Sequence, residues 1–132
     1  MKVELFTICD FAADYGGKLN VVGIFDTIFA GQTPFVHPRW CVALKLRFEK
    51  MEEGDKKIRL SLVDDDGKSV LEQPIELNIN VKLSPDQNQS IANIVLNLDR
   101  IQFNSFGEHA VDLAINGRHE GRLSLFTSQR QC

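Results

Sequence analysis

Val42-Ala43-Leu44-Lys45-Leu46-Arg47-Phe48-Glu49 places a large apolar side chain at every second position, with Ala43, Lys45, Arg47 and Glu49 between them. Successive side chains of a strand leave on opposite faces, so a period of two marks an extended segment with one face buried. The same beat returns in Ile58, Leu60 and Leu62, in Leu77, Ile79 and Val81, in Ile94, Leu96 and Leu98, and in Val111, Leu113 and Ile115. Turn chemistry separates these runs. Gly16-Gly17, Gly54, Gly67, Asn116-Gly117 and Gly121 supply residues that accept positive φ at little cost.

About eight strands are therefore expected, over 2–8, 18–25, 39–49, 57–63, 69–82, 91–98, 110–116 and 122–128. Pro74 has no N–H for a ladder and should kink or divide the fifth of these. No segment carries a convincing helical period; the nearest, 10–15, is one turn's worth of residues before a double glycine. Evenly spaced short strands of this kind predict an all-β, antiparallel β-sandwich of immunoglobulin-like or similar Greek-key type, with residues 1–132 forming one domain. If consecutive strands alternate in direction, loops 10–17, 50–56, 83–89 and 116–121 gather at one end and 26–38, 64–68 and 99–109 at the other.

Composition narrows the function classes. A 132-residue chain that is 43% hydrophobic and 25% charged can build its own core, and no apolar run approaches the roughly 20 residues that cross a bilayer. The first residues, with Lys2 and Glu4 among apolar neighbours, do not read as a secretory signal, so a cytoplasmic protein without membrane attachment is expected. A net charge of -3, with Glu49, Glu52, Glu53 and Asp55 offsetting the basic zone from Arg39 to Arg59, argues against a nucleic-acid partner. Three cysteines, Cys9, Cys41 and Cys132, form no even framework and read as free thiols.

Several clusters invite chemical readings. Asp64-Asp65-Asp66-Gly67 offers hard oxygen ligands, but its spacing lacks the closing glutamate of a twelve-residue calcium loop, and Asp followed by Gly is what a tight hairpin demands. A calcium-dependent lipid- or ligand-binding sandwich, with Asp10 and Asp14 as the second acidic loop, stands as one alternative function. A thiol-dependent small enzyme using Cys9 with His37, His109 or His119 stands as another, although nothing in the spacing brings a base to that thiol. No catalytic residue, cofactor or metal ligand is assigned, because no zinc spacing, phosphate loop, serine elbow or dinucleotide fingerprint is present.

The segment 27–38 is longer than a hairpin needs and unusually apolar. Ile28, Phe29, Phe35 and Val36 either cover one mouth of the sandwich or face a partner, and Arg39 and Trp40 beyond them are residue types enriched at binding hot spots. Phe29, Phe35, His37, Arg39 and Trp40 are the candidate partner-binding residues. The expected function is a non-enzymatic binding or assembly module, acting on a protein partner or through self-association at exposed strand edges.

The opening of the chain carries a resemblance. Leu5-Phe6-Thr7-Ile8-Cys9-Asp10-Phe11-Ala12, then Gly17-Lys18-Leu19 and Gly23-Ile24-Phe25-Asp26, resembles the start of a family of small bacterial proteins of unknown function, patterned Cys-Asp-x-Ala, Gly-Lys-Leu and Gly-x-Phe-Asp. The resemblance implies a bacterial origin and no established activity. It offers no catalytic residue to carry over.

Overall fold

The computed structural model describes residues 1–130. Cys132 lies outside the described residues. Nine strands build two sheets: β1 (Lys2–Tyr15), β2 (Lys18–Ile24), β4 (Phe35–Glu49) and β7 (Gln89–Phe103) form one, in the order β2-β1-β4-β7. The other runs β3-β9-β8-β5-β6, from β3 (Thr27–Ala30), β9 (Arg118–Gln129), β8 (Gly107–Ile115), β5 (Gly54–Val63) and β6 (Ile75–Val81). The result is the expected all-β sandwich. Its one helical element among the described residues is a 3-10 turn at Lys50–Glu52.

Alternation decides what lies between the sheets. Trp40, Val42, Leu44, Leu46 and Phe48 of β4 point inward against Ile58, Leu60 and Leu62 of β5 and Val111, Leu113 and Ile115 of β8, in one continuous core. Each such side chain, fully withdrawn from water, contributes about 1.5–3 kcal/mol. The loops sort largely as strand direction requires: 50–53, 82–88 and 116–117 lie at one end, and 31–34, 64–68 and 104–106 at the other.

Three expectations need correction. The β3–β9 pair is parallel, so the sandwich is not wholly antiparallel. Segment 69–82 is not one bent strand. Ser69 makes an isolated bridge to Val63 and regular pairing starts only at Ile75, immediately after Pro74, as the missing N–H requires. Segment 10–15 is neither helix nor loop but the second half of β1, paired with β2 from Phe11↔Val22 to Tyr15↔Lys18.

That second half sets this sandwich apart. β1 pairs with β4 only as far as Cys9↔Cys41, and beyond Cys9 it pairs with β2 alone. The hairpin then folds back across the outer face of β4 and β7. Asn93 of β7 donates to the Gly17 carbonyl at 3.2 Å, although Asn93 opposes Lys45, which itself opposes Leu5. Ala12 joins Cys9, Cys41 and Ala43 in a second small buried cluster, with Leu19, Val21 and Val95 packed around it.

The bend has a local cause. Asp10 faces Gly23 between the Cys9↔Ile24 and Phe11↔Val22 pairs, and Gly23 takes φ +71°, a conformation that L side chains rarely adopt. A Cβ on Gly23 would also run into the Asp10 carboxylate, its own Cβ lying 3.1 Å away. Gly23→Ala is expected to destabilise the fold by about 2 kcal/mol in urea unfolding, against about 1 kcal/mol for Gly16→Ala. Gly16, at φ +59°, has open space around it and serves as the comparison. Equal losses would mean that crowding against Asp10 plays no part in setting the bend.

Candidate functional site

Where β2 ends, the chain changes sheets within two residues. The Phe25 N–H donates to the Ile8 carbonyl at 3.1 Å on one side, and the Asp26 carbonyl accepts from the Phe126 N–H at 2.7 Å on the other. A crossing this short leaves no room for a covering loop, so the seam between the sheets stays open beside Phe25. The Phe25 ring plugs the seam, tilted against Trp40 with centroids 6.3 Å apart and against His37 at 6.1 Å.

Two hollows flank that ring. The first, of about 290 Å³, is lined by Thr7, Ile8, Ile24, Phe25, Asp26, Leu123 and Ser124. The second, of about 320 Å³, is lined by Asp10, Phe25, Thr27, Ile28, Phe29 and His37. Both have an apolar floor and a single carboxylate. Asp26 is held by the Thr27 hydroxyl, which donates to Oδ1 at 2.9 Å. Burial lowers the pKa of His37, while the negative charge of Asp10 opposes that fall.

The side chains singled out in the sequence separate here. Phe29 and His37 share the second hollow; the ring of Phe29 is 54% exposed, with the Arg130 guanidinium 5.2 Å above it. Phe35 closes one end of the core, stacked on Phe103 at 5.3 Å and Phe106 at 6.1 Å. Arg39 is exposed and pairs with Asp99 at 3.5 Å on the outer face of the sheet. Trp40 has no exposed surface, which corrects its reading as a contact residue: it supports Phe25 from within the core. The apolar loop thus does both jobs weighed for it, Ile28 and Phe35 covering the core while Phe29 and Val36 face water.

A kink explains the split. Pro38 and Arg39 are consecutive exposed residues in β4, as are Asp99 and Arg100 in β7, and Arg100 takes φ +53°. Alternation slips at that point in both strands, which turns Phe35, His37, Ile101 and Phe103 toward the core. Sequence reasoning missed Ile24, Phe25 and Asp26 as site residues and placed Asp10 only in an acidic loop with Asp14. Two signals pointed there: the family pattern holds Asp10, Phe25 and Asp26, and Ile24 and Phe25 are adjacent large apolar residues that cannot both face inward on a regular strand.

The other candidates resolve differently. Asp64, Asp65 and Asp66 bring carboxylate oxygens within 4.8 Å of one another. Asp64 Oδ1 is engaged by the turn itself, accepting from the N–H groups of Asp66 at 3.0 Å and Lys68 at 2.9 Å, with Gly67 at φ +79°. Asp10 and Asp14 belong to β1 rather than to a second acidic loop. The Cys9 thiol is fully buried and desolvation pushes its pKa up to about 11, the reverse of what activates a thiol nucleophile.

No helix of the described residues is long and apolar enough to cross a membrane. Fold and site together define a two-sheet β-sandwich with an open inter-sheet seam. The chain belongs to a family of unknown function, DUF6941, whose sequence profile matches residues 4–127. No curated protein matches it.

His37 gives the site a pH signature. A histidine whose folded pKa lies below its ordinary 6.5 contributes stability that is complete above 6.5 and is lost as pH falls through the folded value. The imidazole resonances of His37 are expected to titrate below 6.5 by NMR, and Asp10→Asn, which removes the opposing charge, to move that midpoint lower still. A midpoint that rises in Asp10→Asn would contradict the arrangement.

Proposed function

We propose that this protein is a non-catalytic binding module of the bacterial cytoplasm, which docks a protein partner on the seam around Phe25. One observation carries the reading. Of the large apolar side chains exposed among the described residues, Ile24 and Phe29 line the two hollows that flank Phe25, and Phe126 belongs to the residue whose N–H donates to the Asp26 carbonyl at the crossover. Scattered single apolar residues need no explanation, but a concentration of this kind beside two apolar-floored hollows is the usual form of an interaction surface.

The rim suits a protein better than a small polar substrate. Ile24 and Phe29 flank Phe25 as exposed anchors, while Asp10, Asp26 and the Thr7 and Ser124 hydroxyls offer polar contacts at fixed positions around them. Buried aromatic anchors ringed by polar groups are where binding energy concentrates in protein interfaces. A second copy of the chain is one such partner, and sedimentation velocity across a concentration series tests for it directly.

Ile24→Asp and Phe29→Asp alter exposed side chains and are expected to leave the melting temperature within a few degrees of wild type. Each should weaken partner capture by the immobilised chain about tenfold or more, as loss of a central anchor does. Arg39→Ala, on the other face, should leave capture unchanged. If both aspartate variants retain every partner, and every self-association equilibrium, as well as wild type does, the seam is not the binding surface.

A further inference from the structure

Cys9 and Cys41 are direct partners across the β1–β4 ladder, so their side chains leave the sheet on the same, outer face. Opposed residues of an antiparallel pair stand about 4.5 or 5.5 Å apart at Cα, inside the 4.4–6.8 Å window that a disulfide spans. Both residues are buried and both are thiols. Cys9 Sγ lies 3.8 Å from the Cys41 carbonyl, and the Cys41 thiol donates to Asn97 Oδ1 at 3.1 Å.

Their position in the fold matters more than their proximity. They form the last rung before β1 leaves β4, at the base of the folded-over hairpin, and the hairpin residue Ala12 packs with them in the second cluster. A hollow of about 290 Å³ under the edge of that hairpin reaches Cys41, with Phe11, Ala13, Arg39, Asn97 and Asp99 also lining it. Cys41 therefore borders a route from solvent, lined at its mouth by the Arg39–Asp99 ion pair, whereas Cys9 is closed in behind it.

We propose that Cys9 and Cys41 are a reversible redox pair, oxidised by a small disulfide that enters through this hollow and closed into a cross-strand bond at the hinge of the hairpin. The Cys41 thiolate attacks one sulfur of the oxidant, forming a mixed disulfide and releasing one thiolate. Cys9 then gives up its proton to solvent and attacks the Cys41 sulfur, displacing the second thiolate. Two protein thiols are oxidised, the small disulfide is reduced to two thiols, and the two protons lost by the protein end on the leaving groups. Burial of Cys9 makes the second step the slower one, since only a thiolate attacks.

The test uses the full chain carrying Cys132→Ser, so that both proposed partners are native. After incubation with millimolar oxidised glutathione and a maleimide quench under denaturing conditions, the expected product is two hydrogens lighter than the reduced chain. It carries no maleimide and yields a peptide joining Cys9 to Cys41. Cys9→Ser in the same background should instead stop at a glutathione adduct on Cys41. The proposal is overturned if the Cys132→Ser chain keeps two maleimide-reactive thiols under conditions that fully oxidise its urea-unfolded form. A stable glutathione adduct on the Cys132→Ser chain, in place of the internal bond, would overturn it equally.

Discussion

The fold depends on β4 being buried on both of its faces. From Trp40 to Leu44 five consecutive residues are withdrawn from water, a pattern that a sandwich strand with one solvated face cannot produce. The inner series Trp40, Val42 and Leu44 belongs to the core between the sheets, while Cys41 and Ala43 lie beneath the β1–β2 hairpin. A central strand covered twice is fixed in register twice, since a one-residue slip would exchange Leu44 and Leu46 for Lys45 and Arg47 inside the sandwich. Toward the start of β1 the outer face turns ionic. There Arg47 makes two bonds to Glu4, at 3.0 and 3.1 Å, and Lys45 stands 3.6 Å from the same carboxylate.

Much of this was legible in the residues, and what was not has a physical reason. Apolar residues alternate clearly over 42–48, 58–62, 94–98 and 111–115 because each of these stretches buries one row of side chains against the facing sheet. The hairpin could not be read because its cover is small. Ala12, Ala43 and Cys41 are compatible with either face of a strand, and their burial depends on a bend that Gly23 permits but does not by itself specify. Strand β3 escaped notice for a related reason: four residues at a sheet edge, Thr27 to Ala30, carry too short a pattern to separate from an apolar loop.

The site was only half legible. Phe29 and His37 were visible as an excess of apolar and titratable residues in one segment, but Asp10 and Phe25 lie elsewhere in the chain and meet them only because β2 crosses to β3 in two residues. Trp40 shows the limit of reasoning from residue type. Tryptophan is enriched at interfaces for the same reason that it is favoured in cores, namely its large apolar area, and here the core takes it. The slip of alternation at Pro38 and Arg100 is equally invisible to a scan for periods, yet it decides which side of β4 presents His37.

One bend accounts for both features that set this sandwich apart. Asp10 and Gly23 lie between the seam on one side and the thiol pair on the other. Asp10 lines the hollow beside Phe25, and its carbonyl lies 3.8 Å from Cys41 Sγ. Ile24, which opposes Cys9 across the β1–β2 ladder, lines the hollow on the other side of Phe25. The walls of the seam and the surroundings of the thiol pair thus share the residues at the base of the hairpin.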